Sequence, residues 1–212
     1  MKIEVENYQS GCKKVPASGQ YIIGHQKEEQ IVVYQAYKPS IASWAVNNQG
    51  LGGNDYSYSR MSWIKPNFLW MMYRCGWAEK ENQERVLALW INKSVLENIL
   101  SDAVLSSYNP HYYSSREEWR RQLDTREVRL QWDPDHDPYG NKLTRRAIQL
   151  GLKGDMLNEF GKKQINMVED ITDFVKEQKQ YLDNNQPEKL NIPVERVWEI
   201  NNEALKKRVG ID

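Results

Sequence analysis

IVVYQAY, residues 31–37, is a run of β-branched and aromatic residues in which both alternating faces are apolar. A strand with that pattern is covered on both sides. Gln35 is its one strongly polar side chain. Residues 84–91, ERVLALWI, read as a second fully covered strand.

The segments around these strands supply the cover. PSIASWAVNNQG (39–50) places Ile41, Ala42, Trp44 and Ala45 at helical spacing, opening on Pro39 and stopping at Gly50. After the glycine-rich LGGNDYS (51–57), residues 60–64 read as a short strand, and Pro66 takes the first-turn position of a helix ending near Gly76. That helix, NFLWMMYRC, is apolar almost all round and belongs in the middle of the domain. Its position brings the charges of Lys65 and Arg74 to the core boundary.

Further along, Ser94–Glu97 and Ser115–Glu118 both fit the capping box. The first predicts a helix to about Leu105, the second a shorter helix containing Trp119. Residues 127–132 alternate, with Val128, Leu130 and Trp132 on one face and Glu127, Arg129 and Gln131 on the other. A turn-rich stretch, DPDHDPYGN (133–141), leads to a strand over 145–152, with Arg146, Ile148, Leu150 and Leu152 on one side and Ala147, Gln149 and Gly151 on the other. From Asp155 the reading is mainly helical: Ile165, Val168, Ile171 and Val175 form a stripe, and DNNQPEK (183–189) links to a final helix around Trp198. The expected architecture is one α+β domain over residues 1–212. Its sheet-forming part, about 20–153, is a mixed sheet with interposed helices, and a helical cover spans about 155–212.

With 29 basic and 29 acidic side chains, no overall field favours a polyanion or an anionic membrane, although a local basic patch is compatible with that balance. Cys12 and Cys75 suit neither a disulfide framework nor a zinc site and imply a reducing compartment. Residues 1–6 lack the apolar core of a signal peptide and no stretch approaches a membrane span, so the expected location is the cytoplasm. Eight tryptophans and twelve tyrosines are expected to fill a core more than to line a recognition surface.

The common nucleotide, metalloprotease and hydrolase signatures are absent. Asp133, Asp135 and Asp137 alternate as in a hard-metal loop. Pro138 and Thr144 stand where a Ca²⁺ loop needs glycine and glutamate, so a turn with Asx-type caps is expected and no metal. His25, His111 and His136 are scattered. Arg60, Lys65 and Arg74 bracket a strand and a helix where cations can hold phosphate; salt bridges to Glu84 or Asp133 are the competing reading. Gln35, Gln131 and Gln149 each offer amide donors and an acceptor suited to an amide or a base edge, unless they satisfy one another. Ala147 and Gly151 leave space beside Gln149, for a pocket or for a closely packed helix.

Five stretches carry a family resemblance together: VYQAYKPSIASWA (33–45), RMSWIKPNFLWMMYRCGWAEKENQERVLAL (60–89), VRLQWDPDHD (128–137), RAIQLGLKG (146–154) and VEDITDFV (168–175). They resemble the family known as domain of unknown function 4291, with Cys75 where a serine is expected. The resemblance implies an intracellular globular domain and no particular reaction. A more distant similarity is to the ADP-ribosyltransferase-like fold, with Gln35 or Tyr37 on its first strand and Ser62 before its second helix. Such enzymes bind NAD and orient the ribose with a late-strand glutamate, where this chain has Gln131 and Asp133. A neutral glutamine cannot stabilise developing positive charge as a carboxylate can. Asp133 or Glu127 would then take that role, or the site only binds.

The resulting expectation is a nucleotide-binding domain, ADP-ribosyltransferase-like, acting on NAD or on a phosphorylated nucleic-acid end. Arg60 and Lys65 would hold phosphate, Tyr37 would stack on a ring, Gln35 and Gln149 would read an amide or base, and Asp133 would be the acid. Ser62, Arg74 and Arg146 complete the expected substrate contacts. The alternative is a non-catalytic module whose aromatic surface binds protein or single-stranded RNA.

Overall fold

The computed structural model describes residues 2–212. The chain begins with β1 (Val5–Asn7), α1 (Tyr8–Gly11), β2 (Ile23–Lys27), β3 (Gln30–Tyr37) and α2 (Pro39–Asn48). Next come β4 (Ser62–Ile64), α3 (Phe68–Cys75), β5 (Arg85–Asn92), α4 (Lys93–Ser101), β6 (Ala103–Leu105) and α5 (Arg116–Thr125). A long hairpin of β7 (Val128–His136) and β8 (Lys142–Leu152) leads to α6 (Gly154–Glu159), β9 (Ile165–Asp170) and α7 (Thr172–Asp183). The chain closes with β10 (Asn191–Pro193), β11 (Glu195–Val197) and α8 (Glu203–Val209).

An antiparallel sheet runs β11-β2-β3-β5-β9, a second runs β4-β8-β7-β6 with β6 parallel to β7, and β1 pairs with β10. This is an α+β fold with a mixed sheet. The doubly apolar strands are covered on both faces. Ile31, Val33, Leu87, Leu89 and Ile91 pack with the second sheet's Leu130, Ile148 and Leu150 and with α4. Val32, Tyr34, Val86, Ala88 and Trp90 pack under α3 and α7. One partner strand covers only the start of β3, because β2 pairs with Gln30 and Ile31 alone. At Tyr34 the same edge exchanges two backbone hydrogen bonds with Lys65, of 2.7 and 3.3 Å, which ties the two sheets together. Beyond that bridge no strand among the described residues pairs with Gln35–Tyr37 on this edge, and the sheets part.

Several expectations are corrected. The last third is not mainly helical, because β9, β10 and β11 lie in it. Ile165 and Val168 belong to β9, opposite Ile91 and Leu89, and a register shift at Trp90/Ile91 inserts one extra residue. The bulge puts residues three apart on one face and so imitates helical spacing. Trp198 follows β11, and the final helix starts at Glu203. Pro66 precedes α3, whose N-cap is Asn67, accepting from Trp70 N at 2.8 Å; Gly76 ends it at φ +56°. The Ser94 capping box does not form, since α4 starts at Lys93 and gives way to β6. Ser115 does cap α5, accepting from Glu118 N, and the Glu118 carboxylate returns to Ser114 N at 3.0 Å. Asp133–His136 continue β7 through Pro134, at a register shift where a strand tolerates proline. Only Asp137–Asn141 turn, around the Asp137 carboxylate, which accepts from Tyr139 N and Asn141 N. Asp135 instead forms a buried ion pair with Arg145. Among the described residues no helix is long and apolar enough to cross a membrane.

Candidate functional site

Where the sheets part, a cleft of about 540 Å³ opens between β3, β4, α3 and the polar face of β7 and β8. Tyr37 and Gln35 come from the unpaired end of β3, Ser62 and Lys65 from β4 and its exit, Arg74 from the last turn of α3, and Gln131 and Gln149 from β7 and β8. Arg60 stands on the loop leading into β4.

Gln35 is 3% exposed, and its amide is used internally. Nε2 donates to Ser62 Oγ at 2.7 Å and to Trp63 O at 3.2 Å, and Oε1 accepts from the Tyr37 hydroxyl at 2.9 Å. Both amide hydrogens are spent holding β3 to β4, so Gln35 braces the split and has no donor left for a ligand. The Tyr37 ring packs edge to face on Tyr56 at 6.0 Å, and burial raises its phenol well above the ordinary range.

The opposite wall has free polar groups. Gln131 and Gln149 are cross-strand partners. Gln149 Nε2 donates to Gln131 Oε1 at 3.0 Å and to Asp133 Oδ2 at 2.7 Å. That leaves Gln131 Nε2 and Gln149 Oε1 without a hydrogen bond among the described residues. A donor and an acceptor side by side match a carboxamide or the edge of a base. Of the amides expected to read a ligand, Gln35 has no donor left, whereas the Gln131 and Gln149 pair keeps polar atoms facing the cleft.

Lys65 lies at the floor, 6% exposed. Its ammonium has one hydrogen bond, to Trp63 O at the long distance of 3.5 Å. Burial, reinforced by the Arg74 charge, pushes its pKa down to about 8 against the weaker pull of Asp133. Arg60 and Arg74 are exposed, and Arg74 lies 6.0 Å from the Trp70 ring centroid. None of the three cations has an ion pair among the described residues. The competing salt bridges do not form: Glu84 Oε1 accepts from Asn82 N, and Asp133 accepts from Gln149. A buried charge without a partner is costly, so an anion in this cleft would gain what the protein leaves unpaired.

Gln149 lines the cleft, whereas the space over its neighbour Gly151 is filled. Trp63, opposite Gly151 on β4, fills it with Met61, and a Cβ at Gly151 would stand 2.6 Å from Met61 Sδ and 2.9 Å from the indole. Trp63, Met61, Met71 and Gln83 line the cleft without having been expected there. Only strand register could have pointed to Trp63.

Three expected residues lie elsewhere. Glu127 caps the start of α6, accepting from Asp155 N at 3.0 Å and Met156 N at 2.7 Å. Asp133 and Arg146 line a second cleft, where Arg146 Nη2 donates to Trp132 O at 2.9 Å. Asp133 touches the first cleft only through Gln149.

No curated protein matches the chain. The comparisons lend no support to the distant similarity with the ADP-ribosyltransferase-like fold. The family model described as a domain of unknown function, DUF4291, matches residues 21–198, and the chain belongs to that family.

Proposed function

We propose that the first cleft binds a nucleotide, with phosphate on Arg60, Lys65 and Arg74 and a base or carboxamide edge on Gln131 and Gln149. The observation that carries this reading is Lys65, a buried ammonium that, like Arg60 and Arg74 beside it, has no ion pair among the described residues. A charged donor to phosphate forms a short, strong hydrogen bond, and arginine adds bidentate geometry. NAD carries both recognised parts, a diphosphate and a carboxamide, and a phosphorylated nucleic-acid end carries a phosphate and a base. The chemistry we propose is ADP-ribosyltransferase-like. Asp133 lines the adjoining cleft and meets the first through Gln149; its Oδ1 has no hydrogen bond among the described residues, and the role we give it is to stabilise positive charge developing at a ribose carbon that reaches the border of the two clefts. The unpaired thiols of Cys12 and Cys75 suit a reducing cytoplasm.

Isothermal titration with NAD, ADP-ribose and nucleoside monophosphates tests the reading. Binding that weakens with salt and is lost in Lys65→Met supports it; absence of binding by every nucleotide contradicts it. The alternative, a non-catalytic interaction module, draws on Tyr73 and Tyr139, residues that are 44% and 56% exposed. It predicts protein or RNA binding that Tyr73→Ala weakens and Lys65→Met leaves intact.

A further inference from the structure

The second cleft, about 450 Å³, shares Gln131 with the first. It exists because β7 outruns its neighbour. β6 pairs only with Val128, Arg129 and Leu130, so among the described residues this edge of β7 has no strand beside it from Gln131 onward. The chain after β6 stands across the gap and presents Tyr108 and Tyr112, both half-buried. Arg146 enters from β8, and the Arg116 guanidinium lies 4.8 Å from the Tyr108 ring centroid. Asp133 is the one carboxylate in the lining, and it accepts from Gln149 in the wall between the clefts.

We propose that this second cleft is a subsite for the adjoining nucleotide of a single-stranded nucleic acid whose phosphorylated end occupies the first cleft. The inference rests on the nucleotide reading of the first cleft. Aromatic rings beside arginines are what a single strand uses, since a base stacks on the ring and the following phosphate meets the guanidinium. Gln131, lining both clefts, would mark the passage from one nucleotide to the next. A duplex cannot offer the face of a stacked base to Tyr108, so the site selects single strands.

The test is fluorescence anisotropy on the full chain. The probe is a short single-stranded RNA with a terminal phosphate at one end and the fluorophore at the other, and the matching mononucleotide serves as an unlabelled competitor. The RNA is expected to bind about tenfold more tightly than the mononucleotide, in the range of one stacked base. Tyr108→Ala removes that gain and leaves the mononucleotide affinity unchanged, while Tyr108→Phe, which keeps the ring, retains it. Arg116→Ala, at an exposed position, provides a second lesion should Tyr108→Ala fold poorly, and it also reduces the gain. Mononucleotide binding without extra affinity for the RNA overturns this inference and leaves the first cleft's reading standing. So does a gain that survives Tyr108→Ala, or equal binding of single strand and duplex. Failure of both mononucleotide and RNA to bind overturns the first cleft's reading, and this inference with it.

Discussion

Replacing Lys65 with methionine removes a buried ammonium and keeps most of the side chain's apolar length. Burial lowers the amine from 10.5 to about 8 in the folded protein. At pH 7 the amine is protonated in both folded and unfolded chains, and the displacement corresponds to a folding penalty of about 3 kcal/mol. Between pH 8 and the unfolded value the folded chain has released the proton while the unfolded chain still holds it. Stability therefore rises with pH across that window as the penalty is relieved. Lys65→Met lacks the penalty at every pH. Urea unfolding of both proteins from pH 7 to 10 should show the variant more stable at pH 7, by about 1 to 3 kcal/mol after any packing loss, with the difference shrinking as pH rises. A variant less stable at pH 7, with a difference constant in pH, would refute the reasoning, because it would mean that Lys65 has a counter-ion.

Other substitutions separate support from site. Gly151→Ala puts a methyl against Met61 and the Trp63 indole and should cost about 1 to 3 kcal/mol in unfolding experiments. Glu127→Ala should destabilise by about 1 kcal/mol through the lost α6 cap and leave nucleotide affinity unchanged by titration. Asp133→Asn should fold with unaltered circular dichroism and abolish nicotinamide release from NAD; release at the original rate removes Asp133 from the chemistry.

Much of the fold was legible because burial leaves a pattern. Residues 31–37 and 84–91 are apolar on both faces because core packs on both faces, and no long-range knowledge is needed to see it. The stripe from Ile165 to Val175 misled because one extra residue in β9 mimics a helix. Glu127 alternates with Arg129 and Gln131 as a site residue would, and its role was hidden because the amides it caps lie 28 and 29 residues away. Most of the polar residues singled out on β3, β4, α3, β7 and β8 do meet in one cleft. Which are free and which are spent depends on register: Gln35 faces Ser62 and Trp63, whereas Gln131 and Gln149 face each other and leave the Gln131 amide nitrogen and the Gln149 carbonyl oxygen without a partner among the described residues. Sequence could likewise place Lys65 at a core boundary, but not tell that it would form no ion pair among the described residues.

The central claim, that the first cleft binds a nucleotide, is tested most directly by a thermal-shift screen of the full chain against NAD, ADP-ribose and nucleoside mono- and triphosphates, with Lys65→Met alongside. A ligand at about a hundred times its Kd adds roughly 2.7 kcal/mol, or about 5 to 10 °C in Tm for a chain of this size. The account predicts such a shift for the wild type with at least one nucleotide, and its loss in Lys65→Met. No shift with any nucleotide, or an equal shift in the variant, would contradict it.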